Sequence, residues 1–260
     1  MTDTRMPVVF VGHGSPMNAI EDNVFHREWR ALGARLPRPK AILCVSAHWK
    51  TRGVGVTAMT APKTIHDFGG FPQALFDVRY PAPGDPALAR RVVSLLATHD
   101  PVLDNEWGLD HGAWSVLIAM YPKADIPVVQ LSLDMSRPGA YHYEIGRALK
   151  PLRGEGVLIL GSGNVVHNLR LFDFRAQTKL DWAVRFDAAV KQRITAGAHD
   201  DLIAFETMGE DARLAINSAE HYLPLLYVLG AQDAGERMTF FNESAVSAIS
   251  MTSVVVGNET

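Results

Sequence analysis

Short apolar runs alternate with segments of helical period along almost the whole chain. The runs at 8–11, 41–45 and 157–160 are continuous rather than alternating and are rich in Val, Ile and Leu, and 127–133 reads as a further strand. Such runs read as strands buried on both faces, as in a parallel sheet. Shorter runs at 54–59 and 254–256 predict two further strands. Between them lie amphipathic stretches. Over 23–36, Phe25, Trp29, Leu32 and Leu36 share one face, and Asn23 is a candidate cap. Asp85-Pro86 opens a helix over 87–98, and Pro138 opens one over 138–152. Further helices are predicted over 110–121, where Asp110 is a candidate cap, from Asn164 onward, and over 220–229. Over 179–195, Trp182, Phe186, Val190 and Ile194 line one face. Strand and helix in alternation predict an α/β fold: a single domain over 1–260, with a mostly parallel central sheet flanked by helices on both faces. The Gly/Pro-rich loop over 61–83 is long for such a domain, and loops of that length are usually functional.

Composition narrows the partners. The 260 residues are 47% apolar and 20% charged, enough for a full core. With 25 basic and 28 acidic residues the formal charge is −3, which gives no footprint for nucleic acid or an anionic membrane. The single cysteine, Cys44, sits inside an apolar run and reads as a buried structural thiol. No stretch has the length or apolarity of a secretory signal or a membrane span, so a cytoplasmic protein is expected. Nothing in the pattern specifies an oligomeric state.

The candidate chemistry lies in histidines. His13, His48 and His167 each follow a predicted strand, and His221 sits in Glu220-His221-Tyr222. Ligands of open α/β sheets bind beyond the carboxyl ends of strands, so three of these rings should converge on one crevice. Imidazole is the commonest protein ligand of transition metals, which makes His13, His48, His167 and His221 a candidate metal set. Glu220 and His221 are adjacent, and neighbours on a helix diverge by about 100°, so only one of them should face the metal.

Six motifs in series resemble the 4,5-DOPA extradiol dioxygenase family, a branch of the class III extradiol ring-cleavage dioxygenases. They are Gly12-His13-Gly14-Ser15-Pro16-Met17, Ser46-Ala47-His48-Trp49, Thr64-Ile65-His66-Asp67-Phe68-Gly69-Gly70-Phe71-Pro72, Asp110-His111-Gly112-Ala113-Trp114, Gly161-Ser162-Gly163-Asn164-Val165-Val166-His167-Asn168 and Glu220-His221-Tyr222-Leu223-Pro224-Leu225. The resemblance runs through essentially the whole chain. It implies one divalent non-haem metal per chain, Fe(II) for activity and often Zn(II) as bound, with cleavage of a catechol such as L-DOPA by dioxygen beside its two hydroxyls. It also implies His13, His48 and His221 as ligands, His167 as a fourth ligand or an acid/base group, and His111 as a histidine of the substrate pocket.

Ring cleavage needs a base early and an acid late, and an imidazole serves as either, so His167 and His111 are the candidate catalytic pair. His66-Asp67 is a candidate to hydrogen-bond a ligand. Arg79, Asp67 and Arg170 are candidates for the ends of DOPA. Gly161-Ser162-Gly163 mimics the start of a dinucleotide fingerprint but lacks its third glycine. Two other readings remain open on the same residues. One is a zinc hydrolase using metal-bound hydroxide. The other is a binding protein that kept the fold and lost the chemistry.

Overall fold

The computed structural model describes residues 5–173 and 179–259. Among these residues ten strands form: β1 (Val8–Gly12), β2 (Ala41–Thr51), β3 (Gly55–Thr57), β4 (Val102–Asp104), β5 (Val128–Asp134), β6 (Val157–Gly163), β7 (Met238–Phe241), β8 (Ala245–Val246), β9 (Ile249–Ser250) and β10 (Ser253–Val256). Eight of them make one sheet in the order β4-β3-β5-β2-β6-β1-β10-β7, and β8 pairs with β9 alone. The centre of the large sheet is parallel, with β2 between β5 and β6 and β1 beyond β6. Its margins turn antiparallel where β3 meets β5 and where β10 meets β1 and β7.

The continuous apolar runs have the expected cause. Every residue of β1, β5 and β6 is buried. Successive side chains leave a strand on opposite faces. Leu43 and Val45 accordingly join one core with Val8, Phe10 and Ile159, while Ile42 and Cys44 join the other with Val9, Val11 and Leu158. Helices Asp181–Ala196 and Leu223–Gly230 cover the first face; Val24–Arg35 and His111–Met120 cover the second. The sheet is thus sandwiched as predicted, and Cys44 is buried and free. No helix among the described residues is long and apolar enough to cross a membrane.

The structure departs from the sequence reading where polar residues interrupt a strand or where partners lie far along the chain. β2 does not stop at Val45. It continues to Thr51 because Lys50 and Thr51 pair with Leu133 and Asp134, after a register shift between Val45 and Lys50. Bulges of this kind re-aim side chains beside functional sites, and His48 falls within this one. The helix expected from Asn164 does not form. The Asn164 N–H donates to the His221 carbonyl and the His167 N–H to that of Ala215, so the segment runs extended, with bridges from His167 to Ile216 and Ile249. β4 and β7 carry weak apolar signals and exist through their pairing with β3 and β10.

His142 lies apart from the predicted site, fully buried and hydrogen-bonded through Nδ1 to the Tyr227 hydroxyl at 2.9 Å. Burial lowers its pKa to about 4. The unfolded chain therefore binds a proton below about pH 6.5 that the folded ring refuses until about pH 4, so stability falls as pH drops through that window. This residue should cost about 2 kcal/mol between pH 7 and pH 5. In urea titrations at the two pH values, His142→Gln should flatten the loss by that amount. An unchanged slope would mean that the ring is not neutral in the fold.

Candidate metal centre

Five imidazoles meet at the carboxyl ends of β1, β2 and β6. His13 follows β1 directly, with its N–H donating to the Gly163 carbonyl. His48 comes from the irregular end of β2. His111 is the first residue of helix His111–Met120, whose cap Asp110 accepts from the Ala113 N–H as expected. Asp110 is itself fully buried and also accepts from the Ser46 hydroxyl and the Gln130 amide at 2.6 and 2.7 Å. His221 ends a 3₁₀ turn, Ala219–His221, rather than opening an α-helix. His167 stacks on His221 with ring centroids 3.5 Å apart and 8° between planes.

The rings of His13, His48 and His221 form a nearly equilateral triangle, with centroids 5.1, 5.4 and 5.2 Å apart. His111 stands against one corner of it, 3.9 Å from His48 and 5.8 Å from His13. One nitrogen each from His13, His48 and His111 already lies within 4.8 Å of the others. His111 therefore comes closer to the metal-competent group than a purely substrate-facing residue would need to. Glu220 does not compete with His221. Its Oε1 accepts from the Ser218 hydroxyl, and the His221 ring is the buried member of the pair.

Hydrogen bonds fix which nitrogens are free. The Ser162 hydroxyl donates to the Gly112 carbonyl at 2.5 Å, so it accepts from Nδ1–H of His13 at 3.0 Å. His48 Nδ1 lies 3.1 Å from Asp67 Oδ2, and a carboxylate can only accept. In the neutral form that ligates a metal, both rings then present an Nε2 lone pair, and the two Nε2 atoms face each other at 3.2 Å. Two lone pairs so placed repel unless a cation lies between them. Two nitrogens at about 2.0–2.1 Å from one ion and at the tetrahedral angle stand about 3.3 Å apart. The donor set therefore fits a transition metal. His221 Nδ1 lies 3.4 Å from Glu220 Oε1, which leaves Nε2 as the nitrogen of that ring available to a metal.

Electrostatics agree. Burial, then the charges of neighbouring imidazoles, holds His13 and His221 well below the usual histidine range. Burial lowers His167 to about 4 and lowers His111 against the pull of Asp67. These rings are neutral near pH 7, as ligands must be. Asp67 is opposite in sign. Burial raises its pKa, but the imidazoles of His111 and His48 outweigh it and hold the carboxyl well below the carboxylate range.

Asp67 is the strongest addition to the site. Its Oδ1 accepts from the His111 backbone N–H at 2.9 Å and lies 3.0 Å from the His111 Nδ1, while Oδ2 takes His48. The long loop delivers it, tied down by the Ile65 N–H on the Leu109 carbonyl and by the Trp114 indole on the Ile65 carbonyl. His66 points elsewhere, to the Val78 carbonyl. Nor is Asp67 free to meet an amino group of a substrate. Ser162 was hidden in the sequence because it lies beyond the apolar run 157–160, in a Gly-Ser-Gly stretch that reads only as a partial dinucleotide fingerprint. Gly112 and Gly163 have packing roles: a Cβ at either would collide with Ser46 or with the His221 carbonyl. That, and not phosphate binding, explains the glycines around Ser162. Asp67→Asn keeps the shape but weakens the grip on both rings. It should lower metal affinity about 10- to 100-fold, the usual effect of losing a carboxylate behind a ligating histidine. Unaltered affinity in a competition titration with a chelator would remove that role.

A parallel-centred sheet carrying a histidine cluster at its strand ends matches a known family. Residues 6–256 match the family described as the catalytic LigB subunit of aromatic ring-opening dioxygenase, and the chain belongs to it. It is thus an aromatic ring-opening dioxygenase, an oxidoreductase acting on small aromatic molecules with dioxygen at a non-haem, histidine-ligated metal. Among its relatives is a "4,5-DOPA dioxygenase extradiol" of Escherichia coli K12, 54% identical over 99% of this chain and 97% of that protein. A protein of the same name from Beta vulgaris is 42% identical over 90% and 89%. A crystal structure of an uncharacterized protein from Escherichia coli K12 superposes with a TM-score of 0.86 at 49% identity, covering 97% of this chain and all of that one.

Proposed function

We propose that the chain cleaves a catechol such as L-DOPA across its 4,5 bond, with one metal held by His13, His48 and His221. The observation that carries this reading is the near-equilateral triangle of those three rings around facing Nε2 atoms. Fe(II) is the working metal, because zinc has no redox chemistry, although three neutral imidazoles also suit zinc. When bound, the metal would supply a Lewis-acidic seat for the catechol oxygens and an electron path to dioxygen.

The chain's own groups do the rest. Asp67 holds Nδ1–H of His48, so that Nε2 is the ligating atom. It also anchors His111, whose Nε2 is left to take the proton of a catechol hydroxyl. His167, half-buried beside His221, is placed to pass on a proton, first taken up from water or from the protonated His111, once the ring has been attacked. Phe68 stands edge-on to His111 at 5.5 Å and, with Phe71, Phe76 and Trp114, lines an apolar wall suited to an aromatic ring.

The test is aerobic incubation of the iron-loaded protein with L-DOPA and simpler catechols. Expected are oxygen uptake and a ring-opened product that has gained both oxygen atoms. Turnover of an ester or amide without oxygen uptake would instead identify a metal hydrolase. Cleavage between the two hydroxyls would overturn the extradiol assignment.

A further inference from the structure

The groups that hold His13 and His48 share one neighbour, the first turn of helix His111–Met120. The Gly112 carbonyl takes the Ser162 hydroxyl, which in turn holds Nδ1 of His13. Asp110 reaches His48 by another route. Its Oδ1 accepts from the Ser46 hydroxyl at 2.6 Å, and the same hydroxyl oxygen accepts from the His48 backbone N–H at 3.3 Å.

We infer that Asp110 is a positioning residue for the metal: through Ser46 it fixes the backbone of the β2 bulge, and so the place of the His48 imidazole opposite His13. This rests on the reading of His48 as a ligand and adds the part of the fold that sets that ligand's place.

Three observations support it. First, the sheet gives His48 no hold of its own. The register of β2 with β5 lapses between Val45 and Lys50, and its pairing with β6 ends at Ser46. Asp67 grips the ring from a loop, so only the Ser46 hydroxyl ties the His48 backbone to a regular element.

Second, Asp110 is held more firmly than a helix cap requires. A cap needs to accept only from the N–H groups of the first turn. Asp110 is fully buried, and its Oδ2 takes the Gln130 amide at 2.7 Å and the Trp107 indole at 3.4 Å. Its own N–H donates to Gln130 Oε1 at 2.9 Å. Gln130 is a fully buried residue of the central strand β5. A buried carboxylate with donors on both oxygens has a single place in the fold.

Third, helix and bulge are packed without slack. A Cβ at Gly112 would collide with Ser46 Oγ and with the His48 ring. A displaced helix start therefore displaces His48 as well.

The experiment measures zinc affinity of metal-free protein by chelator competition, and the visible spectrum of the same protein loaded with Co(II). Ser46→Ala should weaken zinc about 10- to 100-fold, as loss of a group supporting a ligating histidine does, and should alter the cobalt bands. Asp110→Asn should do the same, because its amide donors would meet the Gln130 amide. The reciprocal pair Asp110→Asn with Gln130→Glu restores donor to acceptor and should recover most of the affinity. Trp107→Phe removes a contact from the other oxygen of the same carboxylate. Whatever it does to the melting temperature, it should leave zinc affinity and the cobalt spectrum unchanged. An equal loss of affinity in Trp107→Phe would show general loosening and overturn the proposal. If Asp110→Asn does not fold, Ser46→Ala decides alone.

His48→Ala separates this inference from the ligand assignment. If it loses zinc while Ser46→Ala binds as wild type does, the positioning role falls and the ligand stands. If His48→Ala keeps full zinc affinity, the ligand assignment falls and the positioning role with it.

Discussion

His13→Ala and His48→Ala should each yield a folded protein that retains less than about a tenth of its metal and opens no catechol ring. His13 contributes one of two Nε2 atoms that face each other at 3.2 Å, and His48 contributes the other. Removing either breaks that facing pair and leaves two of the three proposed ligands. The fold should survive. β1 and β2 are held by Val8–Val11 and Ala41–Val45, which lie below the site in the two cores. Elemental analysis and far-ultraviolet circular dichroism of the same preparation provide the measurement. A full equivalent of metal retained in both variants would remove these residues from the metal site. The comparison extends to the third ligand: His221→Ala should lose metal as His13→Ala does, whereas His111→Gln should keep it. The reverse result would transfer the ligand role to His111, which also lies within reach of His13 and His48.

His111→Gln and His167→Gln should each lower kcat about 10²- to 10⁴-fold while metal content stays near that of the parent protein, the cost typical of a lost proton-transfer group. The two residues are buried differently. His111 is held by Asp67 through both its backbone N–H and its Nδ1, so its position does not depend on the metal. His167 is held by its backbone N–H on the Ala215 carbonyl and by stacking on His221. Glutamine keeps a polar terminus of similar reach but neither takes up nor releases a proton near neutral pH. Metal content and single-turnover rate on each variant are the readouts. Loss of metal together with rate in His167→Gln would make it a fourth ligand. Full activity in both would assign the proton transfers to water.

How much of this was legible depended on distance along the chain. The parallel centre of the sheet was readable because β1 and the first half of β6, buried on both sides, are apolar throughout, and β5 keeps Val and Leu at four of its seven positions. The helix caps Asn23, Asp85 and Asp110 were readable because a cap bonds within about three residues. The far end of β2 was not, since Ser46, His48 and Lys50 look polar until β5 and the site are known to flank them. The stretch after β6 misled because Asn164 resembles a cap, while its N–H is taken by the His221 carbonyl, more than fifty residues away.

By itself, then, the sequence determined the α/β alternation, the layers of the sandwich, and the nomination of His13, His48, His111, His167 and His221, because each depends on residue type and on neighbours a few positions away. Only the tertiary structure decided the rest. It set the antiparallel margins of the sheet, and Asp67 as the carboxylate shared by His48 and His111. It fixed the tautomer of His13 through Ser162. These arise from contacts between segments tens to hundreds of residues apart, whose pairing follows from strand order and burial rather than from any local pattern.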